Sequence, residues 1–124
     1  ETLLNWKRIL IEANPIHRKG MKEENPNAFS VNAAICKTPR TLHYAQTRSN
    51  VTSGILEFMN PGFLKRFHTR IYEAGNPKGD ITTINDLYKF PEITPIQCFP
   101  LKKVLKEAKV NHINLFILDV EGAE

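Results

Sequence analysis

Two short runs of consecutive apolar residues, each followed at once by a carboxylate, constrain the fold of this chain most strongly. Ile9–Ile11 (ILI) precedes Glu12, and Leu115–Leu118 (LFIL) precedes Asp119. A strand that is apolar on both faces is typical of a parallel sheet with helices on either side. The two runs therefore predict buried parallel strands that carry Glu12 and Asp119 at their carboxyl ends.

A helix is predicted directly after the first of these strands. Asn14 is a favourable N-cap, because its side chain accepts a hydrogen bond from an unpaired backbone N–H. Pro15 suits the first helical position, since it has no N–H to leave unpaired. The helix is expected to cover residues 16–24 and to end at residues 25–27 (NPN), because a residue before proline avoids the helical region.

Strands and helices alternate along the rest of the chain. Further strands are predicted for residues 29–36, 42–45 and 95–99, and a brief helix for residues 61–67. Pro100 opens another helix, in which apolar side chains recur at the i, i+3, i+4, i+7 spacing of one face: Leu101, Val104, Leu105 and Ala108. This alternation predicts an α/β fold with a parallel sheet.

Two stretches lack a regular pattern. Residues 49–55 (SNVTSGI) either form a tight turn or place their hydroxyl groups beside a ligand, and the turn is the preferred interpretation. Residues 68–92 combine glycines and prolines with scattered aromatic residues. Because a connection of that length inside a compact domain is usually functional or mobile, we predict a covering loop or lid there.

Charge and cysteine content exclude several classes of protein. The formal net charge is +4 and the pI about 9.2, but the basic residues are interleaved with acidic and apolar ones, so no nucleic-acid-binding surface is predicted. No apolar run approaches the roughly 20 residues that a membrane span needs. Cys36 and Cys98 are far apart, each in an apolar run, which predicts two buried reduced thiols rather than a disulfide or a zinc site.

The carboxylates at the strand ends are the first candidates for chemistry. Ligands of open α/β sheets bind beyond the carboxyl ends of strands, and Glu12 at such an end can accept hydrogen bonds from both hydroxyls of a ribose. The alternative is a surface carboxylate that only ends a strand.

Asp119 and Glu121 flank one residue and precede Gly122, which permits a sharp turn or a close approach of ligand. They can bind a cationic group or a metal, or share acid–base work; alternatively they cap the next helix and favour its dipole. The histidines show no metal-ligand spacing, so no metal is predicted; they are His17, His43, His68 and His112.

Five segments together resemble the FkbM-type methyltransferases, which use S-adenosylmethionine and have a Rossmann-like (class I methyltransferase) sheet. The segments are ILIEANP, VNAAIC, SNVTSGI, QCFPLKKVL and INLFILDVEGAE, and they cover most of the chain. The resemblance implies that Glu12 binds the ribose of the cofactor. It also implies that Asp119 and Glu121 border the methionine part and the acceptor, as the catalytic candidates. His112 is a weaker candidate for the base, because it precedes the strand, at the end opposite the cleft, and a surface or capping histidine is the preferred interpretation. The implied cofactor-binding residues are Glu12, Ala13, Asn14, Ala33, Ala34 and Asp119.

The chain departs from that family in one respect. The family's first strand and glycine-rich turn are expected before ILIEANP, yet only eleven residues precede Glu12 and none is glycine. We therefore expect residues 1–124 to be an excerpt that covers the second to fourth strands of an incomplete sheet. With a strand order of 3-2-1-4, the first strand would lie between the ends at Glu12 and Asp119. Such an excerpt is expected to bind S-adenosylmethionine weakly and to be inactive alone.

The predicted function is O-methylation of a small molecule or sugar by the whole protein, which the resemblance implies. A methyltransferase-like domain that has lost catalysis and acts as a binding or interaction module is the alternative. A nicotinamide-binding Rossmann domain shares the acidic strand end but has no need of the DVEGAE turn, so it ranks lower.

Overall fold

The structure, a computed structural model, describes residues 6–119. These residues divide into two compact units. Unit 1 contains residues 6–41 and 96–119, and unit 2 contains residues 42–95. Each unit is described by itself below.

Unit 1 begins with a parallel pair of strands. Strand β1 (Ile9–Ile11) pairs with β2 (Phe29–Val31) in parallel, so that Ile11 lies opposite Val31. A helical crossover joins them, as parallel strands require: a 3-10 turn at Pro15–His17 leads directly into helix α1 (Arg18–Glu24). The predicted strand, cap and helix are therefore confirmed.

A second parallel pair follows, and it corrects one predicted element. Strand β3 (Ala34–Ile35) runs parallel to β6 (Ile93–Phe99), with Ala34 opposite Cys98. The single strand predicted for residues 29–36 is wrong, because the chain leaves the β1–β2 pair at Asn32 and changes partner. Helix α4 (Leu101–Glu107) then follows Pro100 and buries Val104, as its apolar spacing predicts.

The two cysteines are joined, contrary to the sequence-based expectation of two separate thiols. The parallel pairing of β3 and β6 brings Cys36 and Cys98 to a Cα–Cα distance of 5.7 Å, and the two form a disulfide across 62 residues of chain. Strand pairing over that separation leaves no local trace in the sequence, which is why the prediction failed.

Unit 2 starts with an antiparallel hairpin. Strand β4 (Arg40–Ala45) pairs with β5 (Gly54–Ile55), with Tyr44 opposite Ile55. The larger sheet has the order β3-β6-β4-β5. The described residues therefore do not form the expected single parallel sheet. They form the parallel β1–β2 pair and a second, mixed sheet, in which a short polar turn joins β4 and β5 as antiparallel neighbours.

Two short helices and a buried cluster complete unit 2. Helix α2 (Pro61–Phe67) begins where Asn60 Oδ1 accepts a hydrogen bond from Phe63 N at 2.8 Å, and α3 (Thr69–Ala74) follows directly. Further 3-10 turns cover Leu56–Phe58, Ile81–Thr83 and Leu87–Lys89. The buried cluster consists of Ala45, Leu56, Leu64, Ile71, Phe90 and Ile93.

Residues 68–92 belong to this core rather than to a covering loop. Ile71 on α3 and Phe90 near the end of the segment are both buried in the cluster. A tight turn between them depends on Gly75, where an added Cβ would lie 2.7 Å from the carbonyl oxygen of Asp80. On the surface nearby, a hydrogen bond from Lys78 to Glu73, 2.8 Å long, raises the pKa of the Lys78 ammonium. The expected lid is thus replaced by a packed, irregular part of unit 2.

The second apolar run does not form the predicted buried strand. Leu115–Leu118 has no strand conformation, and its four side chains are 54–79% exposed. A strand needs a hydrogen-bonded neighbour, and this run pairs with none of the described strands. Among residues 6–119, no helix has the length and apolar character needed to cross a membrane.

Candidate functional site

Polar groups of unit 1 gather where β1 and β2 end. The Glu12 N–H donates to the Val31 carbonyl oxygen at 3.0 Å, which extends the parallel ladder by one residue beyond β1. The Glu12 side chain therefore starts from a backbone fixed by the sheet. This is the position at the carboxyl end of a parallel strand where ligands of α/β sheets bind.

The carboxylate of Glu12 is held by one oxygen and partly exposed at the other. Its Oε1 accepts a hydrogen bond from the Asn14 N–H at 2.7 Å, while Oε2 lies 3.9 Å from Nδ1 of His17. The side chain is 40% exposed. A carboxylate has about four lone-pair positions, so this one retains capacity for further donors.

Asn14 shapes the turn that follows Glu12. Its side chain is buried, and Oδ1 accepts a hydrogen bond from Ile16 N at 3.0 Å, as an N-cap does. Its own carbonyl oxygen accepts from His17 N at 3.2 Å. Because its side-chain oxygen, its N–H and its carbonyl oxygen are all engaged within the turn, Asn14 fixes the direction of the Glu12 turn.

Asn32 links the ends of the two strands and was missed by sequence reasoning. Its Nδ2 donates to the carbonyl oxygens of Glu12 at 2.8 Å and of Asn14 at 2.9 Å. Both amide protons are thus used to brace the Glu12 turn. The signal was available, since Asn32 directly follows the apolar strand FSV just as Glu12 follows ILI.

The predicted alanines lie beside this network in the chain. Ala13 is half-buried between Glu12 and Asn14, and Ala33 and Ala34 are buried immediately after Asn32. Five of the six predicted cofactor-binding residues therefore belong to the two segments that Asn32 joins.

The catalytic candidate Asp119 does not follow one of these strands. Asp119 is exposed and follows the extended apolar run rather than a strand, and Glu121 lies outside the described residues. His112, also exposed, has its Nδ1 2.9 Å from Oδ1 of the adjacent Asn111.

In unit 2, His43 contacts Glu57 and Tyr88, and no spacing in the sequence predicts this group. The Glu57 carboxylate lies 2.6 Å from His43 Nδ1 and accepts the His43 backbone N–H at 3.0 Å. The other ring nitrogen lies 3.2 Å from the Tyr88 hydroxyl. Glu57 and Tyr88 follow His43 by 14 and 45 positions, and their contacts connect β4 to two 3-10 turns. Within residues 6–119, no three carboxylate, histidine or cysteine side chains form a metal-binding group.

The SNVTSGI segment is a tight turn held by its own hydroxyl groups. The Ser49 carbonyl oxygen accepts hydrogen bonds from Thr47 Oγ1 at 2.7 Å and from Ser53 Oγ at 2.9 Å. On the far side of the turn, Thr52 O lies 2.7 Å from Nε2 of the buried His68. The hydroxyl groups serve the turn itself, which agrees with the preferred interpretation.

Comparison with models of protein families gives a match over the whole chain. The family model described as the methyltransferase FkbM domain matches residues 1–124, the whole chain. No curated protein and no solved structure matches the sequence.

Proposed function

The chain belongs to the FkbM methyltransferase family, and from this premise we propose that it takes part in S-adenosylmethionine-dependent methylation of a hydroxyl group on a small molecule or sugar. Membership supports methyltransferase activity in general, and the family generally uses S-adenosylmethionine. The observation that carries the proposal is the Glu12 carboxylate at the end of β1, with one oxygen fixed and the other partly exposed.

The residues around Glu12 fit the ribose of this cofactor. Two vicinal hydroxyls need two acceptor positions close together, and a carboxylate provides them. Asn14 N–H holds Oε1, and Asn32 braces the backbone on either side, so the carboxylate is oriented in advance. We assign Ala13, half-buried beside Glu12, to the neighbouring cofactor surface, whereas Ala33 and Ala34 are 2% and 4% exposed and present no side-chain surface to a ligand.

We also propose that β1 and β2 are strands of the family's Rossmann-like sheet. Their parallel pairing and helical crossover support this assignment. The wider sheet would then present the Glu12 end to a cleft, as open α/β sheets do.

In this proposal the protein contributes mainly alignment. When bound, S-adenosylmethionine supplies an activated methyl group, and the chain's residues hold the ribose and orient the acceptor hydroxyl for in-line attack. Orientation of that kind is worth several kcal/mol of the barrier. Asp119 and Glu121 are the proposed bases that accept the proton from the acceptor hydroxyl.

The Glu12 assignment is tested by Glu12→Ala in the full-length protein. Loss of the charged acceptor is expected to weaken S-adenosylmethionine binding by about 1–3 kcal/mol, or roughly five- to 150-fold in Kd. Titration calorimetry measures this directly. Glu23→Ala is the matched control, because Glu23 is an exposed carboxylate of the neighbouring helix α1. Equal affinities for wild type and Glu12→Ala would remove Glu12 from the site.

The base assignment is tested by Asp119→Asn and Glu121→Gln. If either carboxylate accepts the proton, its replacement is expected to lower the single-turnover rate by about 10²–10⁴-fold. Cofactor affinity should change little, since the amides preserve shape. Rates equal to wild type for both variants would exclude these residues as the base.

A further inference from the structure

The turn between β4 and β5 contains a motif that the proposed methyltransferase function does not use. Asn50-Val51-Thr52 matches the acceptor sequence for N-linked glycosylation, in which asparagine is followed by any residue except proline and then by serine or threonine. The 124 residues contain this pattern once. So short a pattern also arises by chance, and its meaning therefore depends on where the fold places it and on the compartment in which the chain folds.

The fold places Asn50 at the surface, at the centre of a tight turn. The Ser49 carbonyl oxygen accepts hydrogen bonds from Thr52 N at 3.2 Å and from Ser53 N at 3.1 Å, so Asn50 and Val51 are the two central residues. Asn50 is exposed, and Val51 is 74% exposed. Within residues 6–119, the Asn50 side chain makes no hydrogen bond or ion pair. A glycan attached to its Nδ2 would therefore displace no contact of the folded chain.

The hydroxyl of Thr52 has a role in the folded turn, whereas the amide of Asn50 has none. Thr52 Oγ1 lies 2.6 Å from Thr47 Oγ1 and 3.2 Å from the Ser49 carbonyl oxygen. Asn50 takes no part in this network. It also lacks the left-handed backbone conformation for which turns often select asparagine. The structure of the turn thus explains its threonine but not its asparagine.

The disulfide of unit 1 is an independent indicator of the compartment. The Cys36 N–H donates to the Phe99 carbonyl oxygen at 3.0 Å, so strand pairing fixes Cys36 beside Cys98. Their Cα–Cα distance of 5.7 Å lies in the usual range for a disulfide. Disulfides form and persist in the secretory pathway and outside the cell, and they are rare where glutathione keeps thiols reduced. N-linked glycans are added to chains that enter the same pathway.

We propose that Asn50 is an N-linked glycosylation site and that this chain folds in the oxidising lumen of the secretory pathway. The glycan donor is an oligosaccharide joined through pyrophosphate to a polyisoprenoid lipid. Nδ2 of Asn50 forms a bond to the anomeric carbon of the first sugar, and the bond from that carbon to the pyrophosphate oxygen breaks. The lipid pyrophosphate leaves, and an amide proton passes to a base of the oligosaccharyltransferase. The site is independent of the cofactor and of the methyl acceptor.

The disulfide forms in the same compartment by thiol–disulfide exchange. The thiols of Cys36 and Cys98 give two electrons and two protons to the disulfide of an oxidoreductase, which becomes a dithiol. A sulfur–sulfur bond then joins β3 to β6. The exposed asparagine and the paired cysteines lie in different units of the chain, and both are accounted for by one folding environment.

The test is production of the full-length protein, with its own N-terminus, in cultured eukaryotic cells, followed by digestion with peptide N-glycosidase F. The enzyme removes the glycan and converts the modified asparagine to aspartate. We expect faster gel migration after digestion. Mass spectrometry should find the new aspartate at position 50 of the tryptic peptide 49–65, whose other asparagine, Asn60, precedes proline. Unchanged migration together with an unmodified Asn50 would overturn the glycosylation site.

Four variants distinguish loss of the glycan from loss of the fold. Asn50→Gln and Thr52→Ala are expected to abolish the migration shift, whereas Thr52→Ser retains a hydroxyl and should keep it. Asn27→Gln is the matched control, because Asn27 is an exposed turn residue outside the motif and should keep the full shift. The Tm of enzymatically deglycosylated Asn50→Gln should equal that of the deglycosylated wild type, since the Asn50 side chain makes no contact. A shift that persists in Asn50→Gln would refute Asn50 as the modified residue.

The disulfide is tested separately in the same preparations. Without reduction, tryptic digestion should release residues 23–37 and 90–102 as one linked species, and reduction should separate them. Cys36→Ser should abolish the linked species while leaving the Asn50 glycan in place. Unlinked cysteines beside a glycosylated Asn50 would support the glycan site and refute the disulfide as evidence for it. Unlinked cysteines beside an unmodified Asn50 would overturn the proposal as a whole.

Discussion

The two units of the chain are held together in different ways. Unit 2 buries a cluster of mostly large apolar side chains, including the fully enclosed Leu56, Leu64 and Ile71. Unit 1 buries mainly smaller ones, and most of the exposed large apolar residues of the described chain lie in it. It contains instead a hydrogen-bonded turn around Glu12 and Asn32.

This difference suggests that unit 2 mainly provides stability, whereas unit 1 carries the candidate site. Apolar burial supplies most of the favourable free energy of folding, so unit 2 is expected to dominate the stability of the chain. The strand ends of unit 1 depend on a few polar contacts whose net contribution is small but whose geometry is specific. Core substitutions and strand-end substitutions should therefore have distinct consequences.

The largest effect is expected for Ile71→Ala in unit 2. Ile71 has no exposed surface and packs in the six-residue cluster, so the truncation leaves a cavity that costs about 2–5 kcal/mol. Urea unfolding monitored by circular dichroism gives the change in free energy of unfolding. Ile117→Ala, at a position 79% exposed in unit 1, should change it by less than about 0.5 kcal/mol. Similar losses of unfolding free energy in Ile71→Ala and Ile117→Ala would contradict the proposed difference in stability between the units.

A smaller effect is expected for Asn32→Ala. The variant removes two hydrogen bonds to the carbonyl oxygens of Glu12 and Asn14, at a net cost of about 1–3 kcal/mol. Amide hydrogen exchange should show the loss locally, with faster exchange at Glu12 and Asn14 and unchanged protection at Ile71. Asn27→Ala is the control, since Asn27 is an exposed turn residue of the same unit. Uniform loss of protection in both units would show that the network is not local.

Several elements of the fold are determined by short sequence signals that lie within or next to them. The ILI run, the Asn14 cap and the NPN terminator place β1 and α1. The apolar spacing of residues 101–108 places α4. Each signal lies within a few residues of the element that it determines, and this is why they succeed.

The failures concern pairing between distant residues. The LFIL run has the composition of a buried strand, but composition does not supply the neighbour that a strand needs. The change of partner at Asn32 and the meeting of Cys36 with Cys98 likewise depend on which strand lies alongside. A single sequence carries no record of that choice.

The candidate site was also predictable only where its residues follow from local signals. Glu12 follows from the rule that strand ends carry ligand residues, and Asn32 would have followed had the strand been ended at Val31. The His43–Glu57 contact joins residues 14 positions apart through folding of unit 2, and no spacing rule reveals it. The assignment of Asp119 and Glu121 stays a prediction.

The order of the two units along the chain affects how the protein is made. Among residues 6–119, unit 2 is the single stretch 42–95, and a hydrogen bond from Gln46 N to Glu92 O, 2.9 Å long, joins positions near its two ends. Unit 1 is split into segments on either side. During synthesis on the ribosome, unit 2 has all of its described residues once position 95 has emerged, whereas β3 of unit 1 still awaits its partner in β6 and the cysteine that closes its disulfide. Strand β3 is thus translated early but paired late, whereas the partners that hold the Glu12 turn have all been translated by Asn32.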